Sequence, residues 1–179
     1  VPRELVWTGF VSVDGVMDSP GGRVEGHPAG GWVFRTPFVP EAFSLKEEEL
    51  DDTTALLFGR RSYEAFAPIW STSEDHLAYQ ALPKYVLSTT LDADSLVDGW
   101  GETAILRSID DVSALKQSDG GAIFVHGSGG LARNLADAGL IDRYNLLVFS
   151  VRGRASSAGA LRANAGSCSG NPLPMATGF

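Results

Sequence analysis

Twice in this chain a short apolar run ends in glycine and passes directly into a helical pattern, and no other feature constrains the fold as much. Residues 122–125 lead through His126 into Gly127-Ser128-Gly129-Gly130 and a helix expected over 131–138. Residues 55–58 lead into Gly59-Arg60-Arg61-Ser62 and a helix expected over 63–66, with Ser62 as its cap. A strand followed at once by a helix returns most simply to a parallel neighbour. The two junctions therefore predict β-α-β units whose binding loops lie at the carboxyl ends of the strands.

The rest of the chain repeats that alternation. Residues 5–13 are rich in β-branched and aromatic types without a helical period and read as a buried strand; residues 85–88, 103–106 and 143–149 read as further strands. Residues 41–52, 76–81 and 109–116 read as helices, the first carrying Phe43, Leu45 and Leu50 among acids. Between Asp14 and Pro40 stand six glycines and four prolines, the punctuation of a long loop of the kind that often serves a site. Pro68, Trp70 and residues 71–73 read as a second loop. The expected fold class is α/β: a single domain over residues 1–149 with a mostly parallel central sheet flanked by helices, then an atypical tail over 150–179.

Composition removes several functions. The chain has 179 residues, 44% hydrophobic and 20% charged, which suits one globular domain with a real core. Fourteen basic against 22 acidic residues give −8, so nucleic acid is not an expected partner. A single cysteine, Cys168, excludes an intrachain disulfide, and His27, His76 and His126 lack metal-ligand spacing, so no metal is expected. No apolar run reaches the roughly 18–20 residues that cross a bilayer, and Val1-Pro2-Arg3-Glu4 lacks the order of a signal peptide. A cytoplasmic protein without membrane contact is expected.

The glycine junctions carry the chemistry. Glycines let the backbone approach a pyrophosphate, and the free N–H groups of the following helix favour its charge. Gly127-x-Gly129-x-x-Ala132 satisfies the dinucleotide fingerprint, although a tight turn uses the same glycines. Arg60 and Arg61 supply guanidinium forks suited to phosphate oxygens; the plain alternative is two solvated arginines at a helix start. With the hydroxyl-rich strand end Ser88-Thr89-Thr90, the two junctions point to a phosphorylated cofactor. Asp14 precedes Gly15 in a turn pair, where it forms an Asx turn or makes a polar contact near the ligand. Trp32, Phe34, Tyr63 and Trp70 either wall an aromatic pocket or fill the core, and His126 reads as a packed histidine.

Four stretches in order, Phe10-Val11-Ser12-Val13-Asp14-Gly15-Val16-Met17, Leu57-Phe58-Gly59-Arg60-Arg61-Ser62-Tyr63, Pro83-Lys84-Tyr85-Val86-Leu87-Ser88 and Val125-His126-Gly127-Ser128-Gly129, resemble the dihydrofolate reductase-like superfamily. More closely, the chain resembles its branch of small reductases related to the C-terminal reductase domain of bacterial riboflavin biosynthesis proteins, from Arg3 to Phe149. The resemblance implies an NADPH-dependent oxidoreductase that passes hydride to a pterin-like or pyrimidine-like heterocycle; the alternative is a non-catalytic nucleotide-binding module of the same fold. It places Arg60 at the 2′-phosphate with Ser88, Thr89 and Arg107 nearby. Gly59, Arg61 and Ser62 would meet the pyrophosphate from one side, and Gly127, Ser128, Gly129 and Gly130 from the other. Thr8, Gly9, Val16 and Met17 would flank the nicotinamide.

For the substrate, Trp32, Phe34, Phe43 and Tyr63 are the expected contacts. The acid that serves the folate enzymes falls at Phe43 when counted back from Gly59, so dihydrofolate is not the expected substrate. Asp14 and Glu47 remain as catalytic candidates, with Glu41 and Glu48 near Glu47, and water is the expected proton source. The same analogy implies a homodimer.

At Ser150 the character changes. Ala, Gly and Ser fill 16 of the last 30 positions, and with Arg and Pro 21 of them. The stretch has three arginines and no acid, which leaves −11 on the body. Relatives continue with apolar β segments that close the sheet as an antiparallel hairpin, whereas residues 150–179 show no period of two. That mixture is expected when a GC-rich gene is translated out of frame. A chain lacking the hairpin is expected to expose a strand edge and to self-associate.

Overall fold

A computed structural model describes residues 1–22, 29–74 and 77–152. His27, His76, Cys168 and the tail beyond Arg152 lie outside the described residues. In chain order the elements are β1 (Leu5–Ser12), α1 (Pro40–Asp52), β2 (Thr53–Gly59), α2 (Arg60–Trp70), α3 (Leu77–Gln80), β3 (Lys84–Leu87), β4 (Thr103–Leu106), α4 (Ile109–Lys116), β5 (Ala122–His126), α5 (Gly129–Asp137) and β6 (Arg143–Phe149). The strands form one sheet in the order β4-β3-β2-β5-β1-β6, and every neighbouring pair is parallel. No described helix is long and apolar enough to cross a membrane.

Continuous apolar runs make the central strands because both faces of a parallel sheet are covered. Successive side chains alternate between two cores. On one face Leu5, Trp7, Leu57, Ile123 and Val125 pack with Val112 of α4 and Leu131 and Leu135 of α5. On the other, Val6, Leu56, Phe58, Val86 and Phe124 pack with Tyr63 and Ala67 of α2 and with Trp100.

Two local readings need correction. α2 starts at Arg60 with Gly59 as its N-cap, so Ser62 lies within the helix and does not cap it. The helix also runs through Pro68 to Trp70, where a loop was expected. Its apolar stripe explains the length: Tyr63, Phe66, Ala67 and Trp70 recur at helical spacing, and Trp70 stacks on Phe66 at 4.8 Å and on Tyr79 at 5.3 Å. Burial of those rings outweighs the roughly 3 kcal/mol cost of an interior proline.

Lys84 ties α3 to β3. Its side chain is buried, and Nζ donates to the carbonyls of Tyr79, Gln80 and Leu82 at 2.7, 2.9 and 2.7 Å. The ammonium also lies 4.8 Å from the centroid of the Trp100 ring. Buried charge survives here because three fixed oxygens replace its water.

Candidate functional site

The strands β2 and β5 are neighbours, so the helices that follow them begin side by side at the carboxyl edge of the sheet. Between their first turns, the end of β1 and residues 17–20 lies a cleft of about 550 Å³. Gly127 (φ 61°) and Ser128 (φ 57°) are both left-handed, which turns β5 sharply into α5. That turn is pinned to β1 by Trp7, whose Nε1 donates to the Gly127 carbonyl at 2.7 Å.

Ser128 does not cap its own helix. Its Oγ instead accepts the backbone N–H of Gly59 at 2.9 Å, joining the two glycine junctions. Gly59, the N-cap of α2, has no side chain to offer, so neither helix beside the cleft has a side-chain cap. In α4, by contrast, Ser108 and Asp111 form a complete capping box. Two uncapped helix starts facing one cleft gather unpaired N–H groups and positive dipole ends, the donor set that suits a pyrophosphate. The glycines keep the space open: a Cβ on Gly129 would lie 3.3 Å from Met17 Cε, and one on Gly59 3.1 Å from Ser128 Oγ.

Three arginines line the cleft. Arg61 and Arg133 are exposed, and neither forms an ion pair among the described residues. Arg60 is held by Glu64 at 2.7 Å and by Thr90 Oγ1 at 2.8 Å. Thr90 leads on to the other residues expected at the 2′-phosphate: its N–H donates to Ser88 Oγ at 3.2 Å, and Arg107 Nη1 donates to the Ser88 carbonyl at 2.9 Å. Thr89 is exposed beside them. Ser62, Gly130 and Met17 line the cleft with Gly9, while Val16 N–H is taken by Ser12 Oγ at 2.9 Å.

The expected substrate residues divide. Phe43 packs on Phe10 at 5.9 Å and on Phe38 at 4.7 Å, and Phe10 also lines the cleft. Trp32 is fully buried, donates Nε1 to the Asp18 carbonyl at 2.9 Å and meets Phe149 edge-on at 5.6 Å. Phe34 is exposed. Tyr63 is placed in the core, its hydroxyl accepting Val97 N–H at 2.9 Å beside Phe58 and Trp100. His126 packs against Trp70 and Tyr79, each at 5.4 Å.

Glu49 is the residue the sequence reading missed. Glu47 and Glu48 are exposed, whereas Glu49 is 2% exposed under α1. Its carboxylate accepts from Thr8 Oγ1 at 2.7 Å, Asn145 Nδ2 at 2.8 Å and Lys46 Nζ at 3.0 Å. Thr8 therefore turns away from the cleft that Gly9 lines, and Lys46 Nζ, which also donates to Thr8 Oγ1, lies 5.5 Å from the Phe10 ring centroid. Burial holds the Lys46 ammonium below its usual pKa, against the opposing pull of Glu49. Burial, and then the Glu49 charge, push Tyr79 up to about 12. A signal existed in the helix phase: Phe43, Lys46, Glu49 and Leu50 fall at helical spacing, which sets Glu49 apart from Glu47 and Glu48. Asp14 is exposed and accepts from Ser12 Oγ at 2.5 Å. No group of His, Cys, Asp and Glu among the described residues could hold a metal ion.

A parallel six-stranded sheet with helices on both faces and its cleft at the carboxyl edge defines a dihydrofolate reductase-like α/β protein, a reductase-type fold. The profile of the RibD C-terminal domain family matches residues 3–152, and the chain belongs to that family. A solved riboflavin biosynthesis protein from Shewanella sp. PV-4 superposes with a TM-score of 0.60 at 15% identity, over 84% of this chain and 79% of that one. Dihydrofolate reductase from Enterococcus faecalis, complexed with NADP(H) and RAB-propyl, superposes with a TM-score of 0.50 at 16% identity, over 86% of this chain and 77% of that one. No curated protein matches the chain significantly.

Proposed function

We propose that the protein is an NADPH-dependent reductase that delivers hydride to a C=N or C=O bond of a small planar heterocycle, pterin-like or pyrimidine-like. The observation that supports this reading above others is the pair of helix starts without side-chain caps, joined by Ser128 and Gly59 and flanked by Arg61 and Arg133. Those donors suit a pyrophosphate, and the Arg60–Thr90–Ser88–Arg107 chain at the cleft margin suits a further phosphate. When bound, the reduced nicotinamide supplies the hydride.

The chain's own part is to position the reactants. Gly9, with no side chain, leaves the end of β1 open for a flat ring, and Phe10 offers an aromatic surface beside it. Lys46, held by Glu49 and Thr8 outside the cleft lining, sets its ammonium against the Phe10 ring and steadies that aromatic surface. Water is the proton source in this reading.

The test combines an NADPH binding titration with loss of reduced-nicotinamide absorbance in the presence of pterins, pyrimidines and simple imines. Turnover with one of these classes is the expected result. Binding without oxidation of NADPH would identify a non-catalytic nucleotide-binding module, and absence of binding would remove the cofactor as well.

A further inference from the structure

Gly127, just past the end of β5, has both of its backbone polar groups tied to β1. Its N–H donates to the Thr8 carbonyl at 3.2 Å, which continues the parallel ladder between the two strands. Its carbonyl is taken by a side chain, the indole Nε1–H of Trp7 at 2.7 Å. Trp7 stands opposite Val125 in the register, two residues short of Gly127, so its ring leans along β1 towards the carboxyl edge to make that bond. Gly9 admits the ring: a Cβ there would come within 2.6 Å of Trp7 Cη2 and 2.9 Å of Cζ2. Trp7 is buried, and the little of it left uncovered lines the cleft.

Burial alone does not call for this bond. Trp100 is fully buried, and its Nε1 has no acceptor among the described residues. What the Trp7 bond does is orient a peptide. A glycine is the residue whose backbone turns most freely, because it takes either sign of φ. In a trans peptide the C=O and N–H point in opposite directions, so a Gly127 carbonyl held by Trp7 turns the Ser128 N–H away from the indole. That N–H has no acceptor among the described residues, and it precedes the first free N–H groups of α5. Rotated by half a turn, the same peptide would offer an oxygen to an anion and repel it.

We propose that Trp7 is a positioning residue for the coenzyme's pyrophosphate: it holds the Gly127–Ser128 peptide with the Ser128 N–H turned towards the anion and the Gly127 oxygen turned away. The inference rests on the coenzyme reading above and adds to it a residue of β1 that acts through the turn. Ser128 Oγ, bound to the Gly59 N–H, anchors the far side of the same peptide. The peptide is thus held from both sides, by β1 through Trp7 and by the end of β2 through Gly59.

The test is titration of the full chain with NADPH and, separately, with inorganic pyrophosphate, in the parent, Trp7→Phe and Leu5→Ala. Phenylalanine keeps a ring in the core and removes the donor. Leu5 is buried on the same face at the opposite end of β1, so Leu5→Ala destabilises the sheet without touching the Gly127 carbonyl. Trp7→Phe should weaken both ligands at least about fivefold, as loss of one hydrogen bond implies, while Leu5→Ala should bind both as the parent does and melt lower. Amide resonances give the direct reading: pyrophosphate should shift the Ser128 N–H in the parent and much less in Trp7→Phe. If Trp7→Phe does not fold, benzothienylalanine in place of Trp7 keeps the bicyclic shape and replaces the N–H by sulfur, with the same losses expected. Unchanged affinities in the folded variant would overturn the inference and leave the coenzyme reading standing. So would an equal loss in Leu5→Ala, which would show only a general effect of stability. A parent that binds neither ligand would remove both.

Discussion

Ser128 Oγ accepts the backbone N–H of Gly59 at 2.9 Å, across 69 residues of sequence, and so fixes the distance between two helix starts. A serine in the left-handed region is uncommon, and here the turn aims its hydroxyl at the neighbouring junction instead of at its own helix. Ser128→Ala keeps the strained backbone but leaves the Gly59 N–H without its partner, a loss of about 1 kcal/mol or more. Ser128→Gly makes the same loss while relieving the backbone, so it should melt higher than the alanine variant. Both should bind NADPH more weakly than the parent. Equal melting temperatures would show that the left-handed turn stores no strain.

Arg60 and Arg61 should separate in coenzyme preference. Arg60 stands with Thr90 at the cleft margin, so Arg60→Ala should weaken NADPH by roughly 1.5–3 kcal/mol while leaving NADH nearly unchanged. Arg61→Ala should weaken both coenzymes alike, because the pyrophosphate is common to them. Paired titrations check this, and equal loss of both coenzymes in Arg60→Ala would place Arg60 elsewhere.

Gly129 should be a site where bulk removes binding without removing the fold. A Cβ there would press on Met17 Cε at 3.3 Å, the mobile end of a partly exposed side chain that can move aside. Gly129→Val should therefore melt within about 1 kcal/mol of the parent, since a β-branched residue in a first helical turn costs little, and yet lose NADPH affinity as its methyl groups fill the anion's approach. Normal NADPH binding by the variant would reduce the glycine cluster to a turn.

Glu49 acts on its neighbours by charge. Glu49→Gln should lower the pKa of Tyr79 from about 12, although burial, the larger cause, keeps it above the ordinary value. The same change leaves Lys46 without its counter-charge, should cost about 3 kcal/mol of stability, and should slow turnover more than it weakens NADPH. Ultraviolet titration of the tyrosines reads the first effect, and an unmoved late-titrating tyrosine would show that the Glu49 charge does not reach Tyr79.

Lys84 sets a pH dependence at the other end of the sheet. Burial pushes its ammonium down to about 8, below the roughly 10.4 of an unfolded lysine. Between those values the unfolded chain holds more protons, so the contribution of Lys84 to stability rises as pH rises from about 8 towards 10.4. Lys84→Met should be less stable than the parent, by about 2–3 kcal/mol at neutral pH, because three buried carbonyls lose their donor. The gap should widen through the alkaline window. Denaturant unfolding of both proteins at a series of pH values tests this, and a constant gap would refute the shifted lysine.

The sequence alone determined the sheet and the position of its cleft, because both rest on local signals. Apolar runs that end in Gly59 and Gly127 oblige the chain to turn from strand into helix, and parallel strands bring such turns to one edge. Only the tertiary structure decided which polar groups act there. The acids Glu47, Glu48 and Glu49 are equivalent in composition, and the phase of α1 against β1 and β6 selects the last to meet Thr8 and Asn145. The role of Ser128 depends on a partner 69 residues away, and the interior placing of Tyr63 depends on Phe58, Val97 and Trp100. Contacts between residues distant in sequence arise only when the sheet has closed, so local pattern goes no further than the helix phase that sets Glu49 apart and does not name its partners.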